Sequence, residues 1–361
     1  MPEFICGMML SELFYNEAAT PILETRFPGL PYSAGILGWS SEVLGYDDLT
    51  STDHNWGPRF QLFLSKQDYP AFEDSISKAL SQQLPLEFRG CPTNFGISVQ
   101  GDQRAMSRIV TGPVAHKIDI HTVEGYVERY LGLKPEGAIS AADWLSFSEH
   151  KLLAVTRGKV FHDGLGTLEK LRQRYSYYPQ DIWLYILAMQ WAKLGEEETF
   201  VGRCAEVGDE LGSMLIAGRQ VKNLMHLCFM LERKYAPYSK WFGKAFSELN
   251  CGAEMGQILK RVVLSNSWSE REQCLSNAYE EVARMHNELG ITRPLAEKTE
   301  LHGRPYFVIR AGRFAAEILN VIESEEIKKI KFPIGSVNQF VDSDEKISNP
   351  TLCKTLKELY E

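Results

Sequence analysis

Two segments near the N-terminus constrain this chain more than any others. The first, Gly38-Trp39-Ser40-Ser41-Glu42-Val43-Leu44-Gly45, is a turn built from small residues. The second, Ser51-Thr52-Asp53-His54-Asn55-Trp56-Gly57, is acidic and polar. An apolar strand pattern accompanies each: Tyr32 to Leu37 leads into the turn, and Phe60 to Leu64 follows the acidic segment. Backbone N–H groups of a small-residue turn can surround phosphate oxygens, and a following helix adds its positive end. Gly38, Ser40 and Ser41 meet that need, and the Ser41 hydroxyl can donate to a phosphate oxygen. Asp53 and Asn55 stand two apart, so on extended backbone they face one side and present hard oxygen ligands to Mg²⁺.

A third acid comes from a later strand. Val114 to Val123 alternates, with His116, Ile118 and Ile120 on one face and Lys117, Asp119 and His121 on the other. Asp53, Asn55 and Asp119 are therefore the expected metal ligands. Asp53 and Asp119 are the expected catalytic residues. In a two-metal scheme one ion holds a triphosphate and the other activates a hydroxyl, and Asp119 can also accept that hydroxyl's proton. Arg59 and Lys117 are natural triphosphate partners. Asn55 brings an amide oxygen but no charge, so either one metal suffices, Asp47 or Asp48 compensates, or the site binds without turnover. The plainer alternatives are a strand-start charge for Arg59 and a polar loop with an Asx turn for Asp47-Asp48 and Ser51-Thr52-Asp53.

The chain has 361 residues, enough for two domains, and a formal charge of -8, which argues against nucleic acid as a partner. No apolar run approaches a membrane span, and Met1-Pro2-Glu3-Phe4 lacks a secretion-signal layout. Seven scattered cysteines without a Cys-x-x-Cys pair fit a reduced, cytoplasmic protein without structural zinc.

Periodicity predicts a helix over 8–26 that Pro21 kinks or divides, strands over 32–37, 60–64, 95–99 and 114–123, and a helix over 69–83. From 125 the pattern turns helical: 126–131, 141–155 with Ser140 or Asp143 as cap, 180–194, 198–235, 238–249, 253–264, 268–289 and 310–324. Gly158 to Gly164 reads as a short extended piece, and His162-Asp163 as a turn or helix cap. The expectation is an α+β protein: an α/β domain with a small mixed sheet over 1–125, a helical bundle over 126–330, and a loose C-terminal tail over 331–361 with a short helix. The bundle should bury Trp183, Leu187, Trp191, Leu224, Leu227 and Leu231.

The turn, spacer, acid segment and strand acid resemble the signature of the nucleotidyltransferase superfamily. Ser40 stands where that pattern has Gly, and Asn55 where it has the second Asp. Gly158, Val160, Asp163 and Gly166 look like a stretch of its aminoglycoside-adenylylating members, whose α/β domain is also followed by a helical substrate domain. Asp53 to Arg59, Tyr177 to Tyr185, Gly208 to Ser213 and Tyr235 to Gly243 look like a bacterial and fungal family catalogued only as a domain of unknown function. The resemblance implies transfer of a nucleoside monophosphate to a small-molecule hydroxyl, AMP from ATP or another nucleotide, with Mg²⁺. The alternative is a nucleotide-binding or interaction protein that has lost catalysis. Asp209, Glu210 and Arg219, on a helical stripe with Lys222, Asn223 and His226, are candidates for the acceptor cleft. A homo-oligomer is left open.

Overall fold

The computed structural model describes residues 4–52, 54–97, 104–133, 137–300, 303 and 307–361. The chain divides into two compact units, residues 1–137 with 151–176, and residues 138–150 with 177–361.

Unit 1 carries eight strands among the described residues: β1 (Ser33–Ile36), β2 (Arg59–Leu64), β3 (Glu87–Phe88), β4 (Cys91–Pro92), β5 (Phe95–Ile97), β6 (Arg104–Met106), β7 (Lys117–Thr122) and β8 (Lys159–Asp163). Four of them form one mixed sheet in the order β7-β2-β1-β8. β2 pairs parallel with β7, while β1 pairs antiparallel with both β2 and β8. A parallel pair needs a long crossover. Here the crossover contains a helix, Tyr69–Gln83, and two small ribbons, β3 with β4 and β5 with β6. Phe95 therefore begins a ribbon strand and not a third strand of the main sheet.

One face of the sheet is apolar. Phe60, Leu62 and Leu64 of β2 and Ile118 and Ile120 of β7 join Leu10, Phe14, Leu23, Ile76 and Leu80 in a single buried cluster. Each such side chain contributes about 1.5–3 kcal/mol by leaving water. The N-terminal helix that packs there is interrupted by a π turn at Tyr15–Ala19, between Gly7–Phe14 and Thr20–Arg26. Pro21 has no N–H to donate, and the turn ahead of it widens. Both the Thr20 N–H and its hydroxyl donate to the Tyr15 carbonyl.

β8 departs from the expected domain boundary at 125. It lies on the sheet edge, with Ser33 opposite Asp163 and Ile36 opposite Lys159, so residues 151–176 return to unit 1. Gly158 permits this approach: its φ is +82°, and a Cβ there would overlap the Ile36 carbonyl. Asp163 accepts from the Ser33 hydroxyl at 2.6 Å and from the Glu169 N–H at 3.1 Å, which ties strand β1 to the start of helix Leu168–Arg174.

Unit 2 is helical. Helices Gln180–Glu197, Glu210–Leu231, Gly252–Leu264, Trp268–Glu288 and Gly312–Asn320 enclose Trp183, Leu187, Trp191, Leu224, Leu227 and Leu231, all buried. Trp191 stacks on Phe314 at 4.3 Å. The span 198–235 is two helices, because Gly208 takes a left-handed φ of 77° and Asp209 caps the next helix through the Gly212 N–H at 2.8 Å. The span 141–155 is likewise two, Ala141–Ser146 and Glu149–Thr156, the first opened by a capping box of Ser140 and Asp143. The expected loose tail is instead packed. It forms helices Val337–Phe340, Asp344–Ile347 and Pro350–Leu356. The Gln339 amide donates to the Ile186 carbonyl and to Gln190 Oε1, and the Tyr360 hydroxyl donates to the Leu145 carbonyl. No described helix is long and apolar enough to cross a membrane.

Glu149 is buried in unit 2, where its Oε2 accepts from the Ala236 N–H at 2.8 Å. Burial raises its carboxyl from 4.5 to about 7. Between those values the folded chain keeps a proton that the unfolded chain releases, so this group's contribution to stability falls as pH rises through the window. Urea titrations of wild type and Glu149→Gln should show the variant gaining on wild type by on the order of 3 kcal/mol between pH 4.5 and 7. A constant difference between the two across that range would refute the buried-acid assignment.

Candidate functional site

The face of β2 and β7 opposite the apolar cluster is polar. Register sets its order: Arg59 lies beside Lys117, Gln61 beside Asp119, and Phe63 beside His121. Parallel pairing thus places two cations side by side, which is unfavourable unless each is answered.

Arg59 is answered by Glu42. The residue is 6% exposed, and its Nε donates to Glu42 Oε1 at 2.8 Å, with Nη2 on the same oxygen. Nη2 also donates to the Ser40 hydroxyl at 2.7 Å. Burial works against the guanidinium's charge, but Glu42 outweighs it and holds the group above its ordinary value. Gln61 makes a second tie, its side-chain oxygen accepting from the Leu37 N–H at 2.8 Å. The two residues of β2 therefore hold both ends of the turn that runs from β1 into the short helix Ser41–Leu44. Gly38 sits in that turn at φ +124° and spends its N–H on the Ala154 carbonyl at 3.0 Å.

Lys117 is answered by Asn55, whose side-chain oxygen accepts from Nζ. Asn55 itself is held at φ 51° with its N–H on the Arg104 carbonyl at 2.8 Å. Burial, then Arg59, lower the Lys117 ammonium to about 8, with Asp119 and Glu42 opposing. Asp119 is half-buried in the middle of the face. Among the described residues its carboxylate makes no hydrogen bond and no ion pair. Burial also lowers the His121 imidazole, with Asp119 opposing. At the rim, Trp39 is 40% exposed beside the turn, and the Lys151 ammonium lies 5.8 Å from its ring and 5.1 Å from that of Tyr130.

The expected site residues are thus partly assembled. Ser40, Arg59, Lys117, Asn55 and Asp119 share one connected region, and Ser41 begins the adjoining helix. Asp53 lies outside the described residues. Asp47 and Asp48 do not compensate for Asn55. Asp47 accepts from the Gly7 N–H at 2.6 Å and from the Trp56 indole at 2.8 Å, while Asp48 accepts from the backbone and hydroxyls of Thr50 and Ser51. Glu42, Gln61 and Trp39 were not anticipated, although the alternation that exposes Asp119 also places Gln61 two residues after Arg59. In unit 2, Asp209 is a helix cap and Glu210 pairs with the buried Arg271 at 2.7 Å. Neither lines the cavity between helices Gln180–Glu197 and Glu210–Leu231, whereas Arg219 does, paired with Glu197 at 2.7 Å.

Mg²⁺ needs several oxygen ligands, usually including carboxylates. Among the described residues no group of three or more His, Cys, Asp or Glu could hold a metal. Asp119 is the one described carboxylate of the expected set, and the Asn55 oxygen is taken by Lys117. Asp53, the remaining member of that set, lies outside the described residues.

Residues 144–242 match the model of a family described as a domain of unknown function, DUF4037. That span lies in the helical half and leaves out the turn and the acid segment. No curated protein matches the chain. A solved structure, that of a nucleotidyltransferase-like protein from Exiguobacterium sibiricum, is similar at 9% identity, over 84% of this chain and 88% of that one, with a TM-score of 0.31.

Removing one partner of a buried ion pair leaves an uncompensated charge and costs about 3–5 kcal/mol. Glu42→Ala should lose that much in chemical denaturation, while Glu42→Leu combined with Arg59→Met should lose far less. Equal losses in both would contradict a buried, mutually dependent pair.

Proposed function

We propose that unit 1 is a nucleotidyltransferase-like module that binds the phosphates of ATP or a related nucleotide and transfers its monophosphate to a hydroxyl of a small molecule. The observation that carries this reading is the half-buried Asp119, unpartnered among the described residues and centred on a face with Lys117 beside it. A carboxylate with no hydrogen bond committed is open to one from an acceptor hydroxyl. In the proposed reaction the acceptor hydroxyl attacks the α-phosphorus, its proton passes to Asp119, and pyrophosphate leaves. Lys117 supplies positive charge to the phosphates and Ser41 a hydroxyl donor. Arg59 acts through the turn it braces rather than on the phosphates.

The sequence resemblance implies Mg²⁺ on Asp53, Asn55 and Asp119, where it would neutralise phosphate charge. One observation favours a second reading, nucleotide binding without turnover: Lys117 donates to Asn55 where the superfamily pattern has a second carboxylate. Pyrophosphate release from ATP, measured with a panel of small hydroxylated acceptors, separates the two. Transfer predicts release that falls at least a hundredfold in Asp119→Asn and rises in Asn55→Asp. Release absent from wild type but gained in Asn55→Asp assigns the second reading. Release unchanged in Asp119→Asn would rule out this carboxylate as the base.

A further inference from the structure

Unit 2 contains a polar cavity of about 270 Å³ between helices Gln180–Glu197 and Glu210–Leu231 and the segment 338–342. Lys193 of the first helix and Lys222 of the second both line it. The Lys193 ammonium donates to the Gln339 carbonyl at 2.5 Å and has no ion pair among the described residues. Burial lowers it below its ordinary value and Lys222 lowers it further, with Asp342, Glu196 and Glu197 opposing. Arg219 at the mouth is already paired with Glu197, and Glu196 is exposed. His226 is lowered to about 3 by burial, so it adds no charge near neutrality, and its ring lies 4.5 Å from that of Phe242.

Two further features bear on ligand binding. The Asn223 side chain lines the cavity in a residue only 8% exposed, and among the described residues it has no hydrogen-bond partner. Its amide is open to the cavity and available to a ligand there. Asp342 places its carboxylate 2.5 Å from Lys222 Nζ while its own side chain is 88% exposed. Exposed ion pairs of this kind are weak and easily exchanged.

We propose that this cavity binds the carboxylate or phosphate group of a small ligand between Lys193 and Lys222, and that Asp342 is the chain's own carboxylate standing in that place. Asn223 then gives its amide to the same ligand. The site is independent of the nucleotide reading for unit 1, since none of its residues belongs to that unit.

The test is calorimetric titration of the full chain with inorganic phosphate and, separately, acetate. Saturable binding of either is expected. Asp342→Asn, which removes the competing carboxylate at an exposed position, should tighten it at least threefold. Lys222→Ala should weaken it at least tenfold with the melting temperature retained. Tighter phosphate than acetate assigns a phosphate ester, and the reverse assigns a carboxylate. Neither Asp342 nor Lys222 belongs to unit 1, so a failed nucleotide reading leaves this test intact. Binding that neither variant shifts, or no binding to wild type and Asp342→Asn alike, would overturn the proposal.

Discussion

The organisation of unit 1 depends on one buried ion pair. Arg59 opens β2, and Glu42 lies in the short helix after β1. Their contact, with the Ser40 hydroxyl as a third member, fixes the turn between those elements against the sheet. A guanidinium at this depth is unfavourable without a carboxylate. The pair therefore ties the shape of the turn to the folding of the strand. Gln61 repeats the tie from the same face through the Leu37 N–H.

That arrangement determines what remains available for chemistry. Parallel pairing brings Lys117 beside Arg59, yet Glu42 is already committed to Arg59. Lys117 turns to the neutral Asn55 oxygen. Asp119, one step along the same face, is left without a hydrogen bond among the described residues. A carboxylate at position 55 would compete with Asp119 for that ammonium. The amide of Asn55 thus bears on both the charge of the site and the freedom of its central acid.

Much of this was legible in the sequence. Alternation along 114–123 separates Ile118 and Ile120 from Lys117 and Asp119, and the structure divides them in the same way. Strands β1 and β2, helix Tyr69–Gln83 and the buried tryptophans of unit 2 follow from apolar spacing. Long-range partners were not legible, because spacing carries no information about what lies opposite. Arg59 reads as a phosphate ligand until Glu42 is found against it. Strand β8 reads as an isolated extended piece until Gly158 lets it approach Ile36. The C-terminal segment reads as loose because its polar residues look solvated, whereas Gln339 is satisfied by Ile186 and Gln190 inside the helical unit. The break at 207–209 depends on Gly208 and the Asp209 cap, which periodicity does not register.

The most direct measurement is the binding of ATP to the full chain by calorimetry, once in EDTA and once in Mg²⁺. If Lys117 carries positive charge to the phosphates, ATP binds saturably even in EDTA, and Lys117→Met weakens that binding at least tenfold. Binding that appears only with Mg²⁺ and is indifferent to Lys117→Met, or no binding in either condition, would contradict this account.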